Sequence, residues 1–279
     1  MNRRSRGRAV SDVVGFVLVF SIIITGVGLV SVTGFDALSE FTNEQQVENS
    51  ERGMESAAAT LDKLHRNGDT YRQFDLSLGG GRLWLNETEI DLGGDIDTST
   101  LPGNGTIQVG ALEHRFDLSP AEVSIVYEAG GLFRTRSATL RYDPSIQCEA
   151  GPDVDTTIVS LVNLTASDQI RESGSYDSDV AIGPTSVPNE APVAAENEFV
   201  SFQAKLTDQH RILDTDFGAG DEITIDVSQS ASPEQWGQYL DQSGWNDGGV
   251  DDGEYSCGGE TVLVRVSTIE LSLLEREPI

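Results

Sequence analysis

The chain has 279 residues, with 46 acidic against 18 basic side chains and a formal net charge of −28. An acid excess of that size, spread along the whole chain, repels phosphates and excludes nucleic acid as a partner. It also repels itself in ordinary buffer, and we read it as adaptation to a high-salt medium that screens it.

In chain order, residues 1–9 form a basic leader with Arg3, Arg4, Arg6 and Arg8. Removing its four arginines deepens the net charge to −32. From Val13 to Phe35 the next 23 positions hold no charged residue. As a helix at about 1.5 Å per residue that run spans roughly 35 Å, enough for a bilayer core, so segment 13–35 is predicted to be transmembrane. Arginines precede it, and Asp36, Glu40, Glu44, Glu48 and Glu51 follow it. The positive-inside rule then gives a single-pass protein of the cell membrane, with a cytoplasmic N-terminus and an extracellular C-terminal head. Gly15, Gly26, Gly28 and Gly34 allow neighbouring helices to approach closely.

The junction Arg8-Ala9-Val10-Ser11 stands ahead of the apolar run. A secretory signal places its small-residue cleavage site after a shorter apolar region. The basic leader, this junction and the run RAVSDVVGFVLVF together resemble the class III signal of archaeal type IV prepilins and archaellins, the halophilic pilins above all. Asp12 stands where the usual pattern has proline. The resemblance covers residues 1 to about 35 and extends to about 66. It implies a prepilin-type peptidase as partner, cutting after Ala9 behind the basic Arg8, so that Val10 and Ser11 open the mature chain. It also implies other pilin subunits as helix-packing partners in a surface filament. The alternative is an uncleaved single-pass membrane protein whose extracellular head binds a ligand.

Beyond Asp36, Met54, Ala57, Ala58, Leu61 and Leu64 recur at three- and four-residue steps, the spacing of an amphipathic helix. Asn67-Gly68 supplies a stop. Residues 10–66 are therefore predicted to form one long helix, with a break near Gly34 as the alternative. From Tyr71 onward the period changes to two, and FDLSL, RLWLNETEIDL, TIQV, HRFDL, TTIVSLVNLTA, FVSFQAKLT, EITIDVSQ and TVLVRVSTIELSLLE read as strands. Ala129-Gly130-Gly131 reads as a hairpin turn. The Ser-, Asp-, Glu- and Pro-rich stretch 167–197 is predicted to be a long loop, where the head 67–279 would divide if it holds two domains. Ser232-Pro233-Glu234-Gln235 opens a short helix with an N-cap and a capping box. The fold class expected is α+β: a long N-terminal helix, transmembrane and then amphipathic, followed by an antiparallel β-rich sandwich or barrel-like head. Parallel pairs would need crossover helices, which the pattern lacks.

Cys148 and Cys257 are expected to form a disulfide. Asn86, Asn104 and Asn163 head N-glycosylation sequons, with Asn104 best placed in a Pro-Gly turn. Two acidic groups, Asp214, Asp216, Asp221 with Glu222, and Asp247, Asp251, Asp252 with Glu254, lack calcium-loop spacing and read as solvated surface. His65 sits at a helix end, and His114 and His210 adjoin arginines in strands as surface residues. No catalytic motif, metal site or cofactor site is legible, and no enzyme is expected. The function expected is a membrane-anchored, pilin-like surface protein, a minor or specialised filament subunit acting in adhesion.

Overall fold

A computed structural model of the chain describes residues 6–79, 81–116, 118, 122–135, 139–150, 155–167, 199–215, 217–218, 220–247 and 253–274. The predicted loop 167–197 lies outside them apart from Ser167. The first helix, α1 (Arg6–Asn67), is shared between two compact units, Met1–Gln46 and Val47–Ile279.

In the first unit the described side chains from Val14 to Val30 are all exposed, Phe16 at 70% and Val30 at 72% among them. Phe16 stacks on Phe20 one turn later, with ring centroids 6.1 Å apart. Ser21 Oγ donates to the carbonyl of Val17 at 2.8 Å, so its hydroxyl is satisfied within the helix. Among the described residues no helix is long and apolar enough to cross a membrane. That finding overturns the predicted transmembrane segment 13–35. With it falls the single-pass localisation, cytoplasmic N-terminus and extracellular head.

The second unit begins with the last turns of α1. Its strands are β1 (Tyr71–Ser77), β2 (Arg82–Gly94), β3 (Thr106–Phe116), β4 (Val123–Glu128), β5 (Gly131–Arg134), β6 (Thr139–Tyr142), β7 (Ser145–Ala150), β8 (Asp155–Ala166), β9 (Phe199–Asp214), β10 (Glu222–Asp226), β11 (Asn246–Asp247), β12 (Glu254–Gly258) and β13 (Thr261–Leu273). A ten-residue helix, α2 (Pro233–Gln242), lies between β10 and β11. The strands form a five-stranded sheet, β1-β9-β13-β8-β7, and an eight-stranded sheet, β11-β12-β10-β2-β3-β4-β5-β6.

The class is therefore mostly β, which corrects the α+β expectation. Helices do not form a layer of their own: from Val47 onward α1 contributes one apolar stripe to a core otherwise built from strands, and α2 is under three turns. The wholly antiparallel pairing is corrected as well. β8 and β13 run parallel, from Thr156 beside Thr261 to Ala166 beside Leu271. Among the described residues no single crossover helix joins them. Residues 167–260, which hold β9 to β12 and α2, make the return. TIQV and HRFDL, read as two strands, are the ends of one strand, β3, because Gly110 to Glu113 carry the extended backbone between them.

Two apolar clusters fill the unit. The first joins Met54, Ala58, Leu61 and Leu64 of α1 to Phe74, Phe202 and Leu271 of one sheet and Leu112, Phe116 and Ile125 of the other. The second gathers Trp236 and Leu240 of α2 with Phe133, Ile223, Val262 and Val264. Where the sheets touch, a Cβ on Gly110 would stand 2.0 Å from the carbonyl oxygen of Leu164, so only glycine lets β3 lie against β8. The hairpin between β4 and β5 turns through Ala129 (φ 51°) and Gly130 (φ 101°), the left-handed pair a two-residue hairpin requires.

Candidate functional site

The junction residues Arg8, Ala9, Val10 and Ser11 fall in the first turns of α1, which begins at Arg6. The exposed apolar stretch follows directly. Gly15, Gly26 and Gly28 have nothing within 4 Å of where a Cβ would stand. This segment presents an uncharged surface on every side, with small residues between large ones.

The disulfide joins Cys148 to Cys257, residues 109 apart in sequence. It ties β7, an edge of the five-stranded sheet, to β12 of the eight-stranded one. Cys257 is fully buried, and Thr157 Oγ1 lies 2.9 Å from its sulfur. Asn104 is exposed at the tip before β3, with a left-handed φ of 56°. Asn86 in β2 is half-buried, and its Nδ2 donates to Glu113 at 2.9 Å. The hydroxyl of its sequon partner Thr88 is also engaged, by Val109 O and Glu128. Asn163 sits in β8 opposite Thr268.

The described members of the two acidic groups do not gather into a site. Asp221 accepts from the backbone of Gly218 at 2.9 Å. Asp216, Asp251 and Asp252 lie outside the described residues, and Asp247 is in β11. Among the described residues no group of three or more His, Cys, Asp or Glu side chains is arranged to hold a metal ion.

The histidines depart from the surface reading. His114 is 1% exposed; its Nε2 donates to the carbonyl of Leu78 at 3.0 Å and its ring packs on Phe116. Burial lowers its pKa to about 4. His210 is half-buried and meets Asp208 at 2.9 Å. His65, in the last turn of α1, is 2% exposed. Its Nδ1 lies 2.8 Å from Ser267 Oγ, which also accepts from Gln209 Nε2 at 2.9 Å. Burial first, then the charge of Arg265, lowers the His65 pKa to about 4, so the ring is neutral at pH 7. Ser267 is fully buried and no carboxylate backs the imidazole within this trio, so it reads as a fixed link between α1 and β13 and not as a nucleophile.

Beside that link is a cavity of about 220 Å3, lined by His65, Arg66, Ser145, Gln147, Ser160 and Arg265 over an apolar base of Ile158 and Leu263. Arg66 is held by Asp62 at 2.7 Å and donates to Ser145 Oγ at 2.5 Å.

One buried carboxylate escaped sequence reasoning. Glu128, at the end of β4, is fully buried. It accepts from Thr88 Oγ1 (2.5 Å), the backbone N–H of Ala231 (2.8 Å), Trp236 Nε1 (3.0 Å) and the backbone N–H of Ser232. Burial raises its pKa and the four donated bonds oppose that rise. Ser232 makes no side-chain cap, and Glu128 instead accepts from the N–H groups of Ala231 and Ser232 just ahead of α2. The only sequence signal is a lone acid closing the apolar strand VSIVYE.

A sequence profile described as a family of unknown function (DUF7289) matches residues 8–272, from the arginine of the junction through both sheets. No curated protein and no solved structure matches the chain.

Proposed function

The chain belongs to the DUF7289 family, and because that membership carries no activity with it, we propose from the geometry that the protein is a non-enzymatic, pilin-like subunit of a surface filament. The apolar stretch of α1 packs against the same stretch of other copies, and the β-rich unit is the displayed head, serving attachment. The observation that carries this reading is the uninterrupted exposure of Val14 to Val30. An apolar surface on all sides of a helix requires a cover. Copies of the same segment provide one, since large residues on one helix meet the open positions at Gly15, Gly26 and Gly28 on the next. The resemblance of Arg8 to Ser11 to a class III processing site supports it, with a prepilin-type peptidase removing residues 1–9. The profile match supports it too, because helix and head fall within one continuous family segment.

The test is mass mapping of the mature N-terminus together with sedimentation in high salt. A chain that begins at Val10 and sediments as large assemblies is expected. Ile23→Asp should leave the head folded, since the second unit has its own core, and abolish assembly. A wild-type chain that stays monomeric would sink the proposal.

A further inference from the structure

We propose that the cavity beside His65 is a binding site for a small oxyanion. Three independent observations carry it. First, the chain holds 46 acidic residues, yet no Asp or Glu lines this cavity, and two arginines and a histidine do. Arg66 is balanced by Asp62, so the guanidinium of Arg265 sets the charge of the site. Second, two buried nitrogens are left without a partner, Nε2 of His65 and Nε of Arg265. An orphaned buried donor is costly, and an acceptor placed in the cavity removes that cost at Arg265 Nε, and at His65 Nε2 when that atom carries the ring proton. Third, Gln209 Nε2 donates to Ser267 Oγ, and Ser267 Oγ lies 2.8 Å from His65 Nδ1. With the hydroxyl proton directed to Nδ1, the ring proton would stand on Nε2 and make it a donor without a charged imidazole.

The end of α1 would by itself disfavour an anion, because its last carbonyls carry partial negative charge. Two of them are already occupied, Leu64 O by the N–H of Gly68 and His65 O by Gln209 Nε2. A full guanidinium charge outweighs the remaining partial one. The volume admits a sulfate- or phosphate-sized group with room for a small substituent, and Ser145, Ser160 and Gln147 supply further polar contacts. The ligand is thus an oxyanion either free in solution or carried on a small polar molecule such as an acidic sugar.

The experiment is titration of the full chain at constant potassium chloride with sodium sulfate, potassium phosphate or sodium glucuronate. It is followed by calorimetry and by the 1H–15N resonance of the His65 ring. Saturable heat with a shift of the Nε2–H signal is expected for at least one anion. Sulfate or phosphate would mark a free ion, and glucuronate alone would mark an acidic sugar. Arg265→Gln should weaken the affinity at least tenfold, and the exposed Arg52→Gln should leave it unchanged. If Arg265→Gln does not fold, Arg265→Lys, which keeps the charge and loses Nε, should still weaken binding severalfold. No saturable signal with any of the three up to about 20 mM would overturn the proposal, as would binding indifferent to Arg265.

Discussion

At the scale of single residues, charges decide more than apolar side chains do. Glu51 of α1 is 4% exposed and meets Arg134 of β5 at 3.4 Å and Arg141 of β6. Removing Glu51 leaves two guanidiniums that are partly exposed to water. Glu51→Ala is therefore expected to cost about 1–3 kcal/mol, read as a shifted denaturant midpoint with unchanged slope. His65 and His114 make stability depend on pH. Both sit at about 4 in the fold against an ordinary value of 6.5. Above pH 6.5 the rings are neutral in both states and their full stabilisation is present. Between 6.5 and 4 the unfolded chain binds protons that the native rings refuse, so stability falls with pH. The loss reaches on the order of 3 kcal/mol per ring once complete. Glu128 runs the other way: its raised pKa makes its contribution decline as pH rises from its ordinary 4.5. Comparing wild type with His114→Gln isolates the histidine term, and the variant should show a shallower fall between pH 7 and 4.5. His114 was not legible as buried because it stands next to Arg115 in sequence. In a strand neighbours point to opposite faces, so the arginine's exposure says nothing about the histidine.

At the scale of elements, local signals read well and distant pairings do not. The strand period, the stop at Asn67-Gly68 and the turn at Ala129-Gly130 are dictated by neighbouring residues, and the structure places them there. No side-chain cap forms at Ser232, and a carboxylate 104 positions earlier accepts from the N–H groups of Ala231 and Ser232 instead. The parallel pair of β8 and β13 has no local mark either, since the described part of its return path holds strands as well as α2. The contact between Gly110 and Leu164 is another long-range feature that carries no mark in the sequence. Gly110→Ala should force the sheets apart and cost about 2 kcal/mol, measured by thermal or urea unfolding. The disulfide closes a loop of 109 residues between the two sheets. Replacing both cysteines by serine should remove about 4–5 kcal/mol in the chain-entropy model, checked by comparing denaturant midpoints. The cavity beside His65 belongs to this scale as well. Its residues come from α1, β7, β8 and β13, which no window of sequence places together.

At the scale of the whole molecule, an apolar segment and a net charge of −28 act in opposition. In the proposed filament, packing the first units together would bring many acidic chains into one assembly, and salt would relieve their repulsion. At 1 M salt the screening length is about 3 Å, and near 0.01 M it is about 30 Å. Assembly should therefore strengthen as potassium chloride rises and reverse on dilution, followed by light scattering. Composition made both halves of that opposition legible. It did not reveal what covers the apolar helix, because an uncharged run reads alike whether its surroundings are lipid or protein. Both native cysteines are locked in the disulfide, so a new one reports cleanly on its neighbours. The most direct measurement is oxidative cross-linking of Ile23→Cys in high salt, with Arg52→Cys on the second unit's exposed helical surface as the comparison. If helices of separate copies cover one another, Ile23→Cys should give covalent dimers in high yield within assemblies, and Arg52→Cys far fewer. Ile23→Cys chains that remain monomeric under oxidation, at concentrations where wild type sediments as large assemblies, would contradict helix-to-helix packing between copies.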